Sequence, residues 1–159
     1  TDEILRAAYE ECAKWWSELL SNLRPLERAL RNPAIAIDAR KDWTEGSVVY
    51  RPFGQKAVIS GLMAAHNRSK ASPAVLVGRL NRIPMALSDE MWRGVLAGGL
   101  GERRKMIGSE IPLASDLVTY LLLGADGYGA RRTEDLQNRF IEAKREYGID
   151  KRKLPPSVV

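Results

Sequence analysis

Six of the eight prolines sit where a helix would begin or end, and this spacing restricts the chain to short and medium helices. Pro25, Pro52, Pro73 and Pro112 suit a first helical turn, whose N–H groups have no partner within the helix. Pro33 and Pro84 stand where a helix is expected to stop. Between these marks, apolar residues recur at steps of three and four. Leu5, Ala8, Cys12, Trp15, Leu19 and Leu23 form one face of a helix over 2–22, opened by Thr1 or Asp2. Trp15 and Trp16 cannot point the same way, so one is expected in the core and the other at a second layer or a partner.

The same reading predicts helices over 26–31, 53–67, 73–83, 88–96, 115–123 and 133–147, with Gly148 closing the last. Residues 34–45, with one extended turn at 35–37, and residues 67–71 and 97–111 read as loops. Residues 46–50 read as a brief strand or extended lead-in. The expected fold class is all-α or nearly so, a single compact domain of six to seven short-to-medium helices packed orthogonally rather than as a regular bundle. It covers residues 1–148, and residues 149–159 follow as a mobile, basic, Pro-containing tail.

A chain of 159 residues is long enough to bury a core, and no apolar run approaches the roughly 20 residues that span a bilayer. The single cysteine, Cys12, leaves no internal disulfide or multi-cysteine metal site. Its place on the apolar stripe predicts a buried thiol in a reduced, cytoplasmic setting. Thr1-Asp2-Glu3 opens directly on a helix start without an initiator Met, so the chain is expected to be part of a longer protein. The net charge of +5 and pI near 9.5 are compatible with a nucleic-acid partner.

Groups for catalysis are few. The one histidine, His66, falls at a helix end, where it suits the negative pole of the helix. The pairs Glu10-Glu11, Asp89-Glu90 and Glu134-Asp135 sit in predicted helices, two of them in a first turn, with no apolar surround to raise a pKa. No metal-ligand spacing is present, and no cofactor is implied. The run from Gly98 to Lys105 joins glycines to Arg103, Arg104 and Lys105 but lacks a phosphate-loop pattern, leaving a solvated edge or a phosphate-backbone contact. The cations of 131–153 interleave with acids, which favours ion pairs on a helix surface.

The segment Tyr50-Arg51-Pro52-Phe53-Gly54-Gln55-Lys56 is the one place shaped for more than a core. Arg51, Gln55 and Lys56 would surround a helix N-terminus, where an anion is favoured, or they would serve a structural turn.

Several stretches resemble, in order, the C-terminal part of DGQHR-domain proteins, members of the ParB/sulfiredoxin-like superfamily that include Dnd-type proteins tied to DNA phosphorothioate modification. They are Tyr9 to Leu23 with Trp15-Trp16, Val49 to Ala57, Leu80-Asn81-Arg82-Ile83-Pro84, Met91-Trp92-Arg93-Gly94-Val95-Leu96, and Lys105-Met106-Ile107 with the apolar helix after it. The Asp-Gly-Gln-His-Arg signature and its strand-rich surround are not in this chain. The resemblance therefore implies a helical accessory or C-terminal domain, non-catalytic by itself, of a protein linked to DNA modification, defence or its regulation. Arg51, Gln55 and Lys56, with Arg103, Arg104 and Lys105, would face the missing N-terminal core domain or a nucleic-acid phosphate. The alternative is a protein–protein interaction or oligomerisation domain without nucleic-acid binding, anchored by Trp16 and Trp92. A small standalone enzyme built on carboxylate–Arg sites is the third reading. The partners expected are thus the core domain, DNA or a second copy, and no membrane.

Overall fold

The computed structural model describes residues 2–41, 46–99 and 105–159. Among them are seven α-helices: α1 (Asp2–Asn22), α2 (Arg24–Arg31), α3 (Pro33–Lys41), α4 (Pro52–Ser69), α5 (Pro73–Leu80), α6 (Ile111–Tyr128) and α7 (Ala130–Glu146). A 3-10 turn, Val48–Tyr50, precedes α4. One antiparallel hairpin pairs β1 (Ala97–Gly98) with β2 (Lys105–Met106), Ala97 lying opposite Met106. The all-α class expected from the proline spacing is the class observed.

The centre is α4 packed on α6. Ala57, Val58, Leu62 and Ala65 of α4 meet Leu113, Ala114, Leu117, Val118, Leu121 and Leu122 of α6, all buried. Gly61 lets the two backbones close together, since a Cβ there would fall 2.6 Å from both the Ser115 carbonyl oxygen and Val118 Cβ. The Thr119 hydroxyl lies 3.2 Å from the Gly61 carbonyl oxygen and 2.9 Å from that of Ser115, so a polar group is satisfied inside this contact. Around the pair, α5 adds Leu76, Val77 and Leu80, α7 adds Leu136 and Phe140, and the second half of α1 adds Trp15 and Leu19.

Several expected boundaries are corrected. Residues 33–41 are helical rather than loop-like, because Asn32 precedes Pro33 as a start signal: its Oδ1 accepts the Ala34 N–H at 3.2 Å. Residues 88–96 form turns instead of a helix. The buried Lys144 Nζ of α7 donates to the carbonyls of Glu90, Met91 and Arg93, which therefore point at the ammonium rather than along a helix axis. The span 97–111 contains the hairpin and the start of α6. Gly124 does interrupt the helical geometry of α6, as expected, with φ 71° and ψ 174°, and a short further helical stretch follows it to Tyr128.

The tail packs against the rest of the domain. Leu154 and Val158 pack against the core, the Val158 N–H donates to the Leu121 carbonyl at 3.0 Å, and Lys151 pairs with Glu90 at 3.0 Å. Val159 fills the space left by Gly124, where a Cβ would stand 2.8 Å from Val159 Cγ2. The apolar residues among the tail's cations are what hold it down.

Candidate interaction site

The turn before α4 is built as a lock on the core. Hydrogen bonds from Val48 N–H to Met85 O (2.7 Å) and from Leu87 N–H to Gly46 O (2.8 Å) tie it to the 85–87 segment. Where a brief strand or an extended lead-in was expected, only Ser47 is extended, bridging Ala86, and bonds from Tyr50 to Ser47 and from Arg51 to Val48 close the rest as a 3-10 turn. Gly54 then seats the first turn of α4 on Val48, where a Cβ would lie 2.0 Å from the Val48 carbonyl oxygen. Gln55 Nε2 donates to Val49 O at 2.8 Å, and the half-buried Arg51 reaches Ala39 O at 3.4 Å. Both side chains thus engage carbonyls of this chain. Lys56 and Lys105 are exposed, whereas Arg103 and Arg104 lie outside the described residues.

The tryptophans separate as chemistry requires. Trp15 is buried, its indole N–H donating to Glu11 Oε1 at 2.9 Å and its ring meeting His66 edge-on at 5.1 Å. His66 also faces Ala71 O through Nδ1 at 2.9 Å, so the lone histidine is part of the scaffold. Trp92 is not an exposed anchor. It is wholly buried, with its indole N–H donating to Pro84 O at 2.7 Å. Trp16 is 53% exposed.

Trp16 belongs to a larger surface. The stripe read as core over 5–23 is buried only from Trp15 onward. In the first half of α1, Ile4, Leu5 and Tyr9 are between 66% and 75% exposed, and Cys12 is exposed rather than buried. These residues continue the face that α1 turns to its own core, so the helix carries an apolar face beyond the body of the domain. Asp2, Glu11 and Glu18 border that face by helical spacing, and α1 as a whole has five acids against two bases.

A cleft of about 620 Å³ opens where α2, α3 and the 3-10 turn meet. Pro25, Ile35, Ile83 and Met85 give it an apolar lining, and Arg24 and Arg28 stand at i,i+4 along its rim. Neither arginine makes an ion pair among the described residues. The Tyr50 hydroxyl donates to Pro25 O at 2.7 Å; burial raises its pKa, and the nearby Arg28 charge partly offsets that. Asp38 is the acid in the lining, 3.8 Å from Lys41. The cleft suits an apolar group carrying negative charge.

Of these two surfaces, only Trp16 was singled out from sequence. The high charge of residues 2–14, six of thirteen, and the i,i+4 spacing of Arg24 and Arg28 were the available signals. No group of three or more His, Cys, Asp or Glu among the described residues could hold a metal ion, and no helix among them is long and apolar enough to cross a membrane. No protein-family model, curated protein or solved structure matches this chain.

Proposed function

We propose that this chain is a helical accessory domain that works by docking another polypeptide, with the free half of α1 as the docking element. The observation that carries the reading is the exposure of Ile4, Leu5, Tyr9 and Trp16 on one ordered helix. Large apolar side chains clustered this way are the usual mark of an interface, and an exposed tryptophan is a natural anchor. Identifying the docked polypeptide as a DGQHR-type core, in a protein of DNA modification or defence, rests on the sequence resemblance.

A photo-crosslinking residue placed at Tyr9 in living cells tests the docking reading. Discrete higher-mass adducts are expected, and their absence would remove it. The companion change Leu5→Ser is expected to alter folding stability by less than about 0.5 kcal/mol, because Leu5 supports no part of the core. A loss of several kcal/mol on denaturant unfolding would instead place the stripe inside the fold.

Contact with a nucleic-acid backbone is a second reading, favoured by charge segregation. Outside α1 the chain carries 23 Lys and Arg against 15 Asp and Glu. Duplex DNA mobility with this protein at two salt concentrations is the test: a shift at low salt that fades at high salt is expected, and no shift at low salt would exclude it.

A further inference from the structure

We infer that the polypeptide received by α1 is a second copy of this chain: the free half of α1 in one copy lies against the Arg24–Arg28 cleft of the other, and reciprocally. The inference rests on the docking reading above and names its partner.

Charge is the first support. The exposed end of α1 begins with Asp2 and Glu3, which make no ion pair among the described residues, while Glu10 pairs with Arg6 and Glu11 accepts the Trp15 indole N–H; the cleft presents Arg24 and Arg28, likewise without ion pairs among the described residues, against the single acid Asp38. Two acidic helices alone would repel. An acidic helix set against a basic cleft satisfies both, and opposed charges of this kind fix register and suppress wrong pairings. Apolar chemistry matches in parallel, since Ile4, Leu5 and Tyr9 would meet the lining that includes Pro25, Ile35 and Met85.

Topology is the second support. The cleft lies just beyond the C-terminal end of α1, at Arg24 and Pro25, while the free stripe lies at its N-terminal end. Setting two copies of this 21-residue helix antiparallel, each about 31 Å long, brings the acidic start of one to the basic cleft of the other. A single two-fold axis then makes both contacts at once, as an isologous interface requires. The antiparallel arrangement also opposes the two helix dipoles favourably.

Area is the third. At exposures of 53% to 75%, Ile4, Leu5, Tyr9 and Trp16 leave on the order of 500 Å² in water. Two such stripes with their two clefts exceed the roughly 1,000 Å² that a stable interface needs.

Sedimentation velocity of the full chain at low and high salt tests the inference. A dimer that weakens with salt is expected. Asp2→Lys with Glu3→Lys, and separately Arg24→Glu with Arg28→Glu, should each weaken it at least tenfold. Mixing the two double variants should restore a dimer, because each copy then offers the charge that the other lacks. That restoration also shows that both variants fold. A wild-type chain that stays monomeric, or charge reversals that leave the dimer untouched, would overturn the inference. Adducts from position 9 of a mass other than twice the chain would refute the second copy yet keep the docking reading. No adduct at all would remove both.

Discussion

Replacing Lys144 by methionine is expected to lower the unfolding free energy by about 3 kcal/mol or more, one of the largest single-residue effects in this domain. Lys144 is fully buried, and its ammonium serves the carbonyls of Glu90, Met91 and Arg93, the Met91 bond measuring 3.0 Å. Methionine keeps the length of the side chain but leaves those acceptors to face it unpaired. The segment 89–96 would lose the centre around which its turns are wound, and Trp92 sits within that segment. Denaturant unfolding measures the loss; a change below about 1 kcal/mol would mean that the carbonyls find other donors.

The same residue gives a signed pH dependence. Burial pulls the Lys144 pKa down to about 8 from an ordinary 10.5, with the Glu90 carboxylate opposing the shift. Between those values the unfolded chain holds the proton more tightly than the folded one. Stability from this group is therefore flat below about pH 8, rises as pH climbs toward 10.5, and levels above it. Lys144→Met should abolish that rise, which separates titration of Lys144 from that of the surface lysines.

Gly54→Ala is expected to destabilise by about 3 kcal/mol or more, and Gly78→Ala to stabilise by about 0.5–1 kcal/mol. Both glycines are helical and both changes add one methyl. At Gly54 the new carbon would stand 2.0 Å from the Val48 carbonyl oxygen, which is backbone and cannot swing aside. The start of α4 would have to lift from the 3-10 turn, loosening the Gln55 bond to Val49 O. At exposed Gly78, in α5, nothing stands within 4 Å, so alanine simply lowers the entropy lost on folding. Thermal and denaturant unfolding of the pair should move in opposite directions. Equal small effects would show that α4 is not seated on Val48.

Much of the fold was legible in the chain because its signals are local. Asp2 and the three-four spacing predicted α1 to its last residue, Ser72-Pro73 marked the start of α5, and Gly148 the end of α7, where it takes φ 70°. Errors arose where a local signal has two meanings or a distant group intervenes. Pro33 reads as a stop or as a first-turn residue, and Asn32 before it decides for the second. Residues 88–96 carry a helix-like start, but an ammonium more than fifty positions away in sequence claims their carbonyls.

The candidate site divides in the same way. That one of the two adjacent tryptophans lies outside the core, and that Arg51, Gln55 and Lys56 stand at a helix start, were readable from residue type and spacing. Which contacts they make was not, because Gln55 and Arg51 turn to carbonyls supplied by the 3-10 turn and α3. The chain by itself determined an all-α domain, since period and capping act over a few residues and need no distant partner. Only the tertiary structure decided which half of the α1 stripe is core. An amphipathic face is the same pattern whether it meets its own domain or another molecule, and packing alone leaves Leu5, Tyr9 and Cys12 outside while burying Trp15 and Leu19.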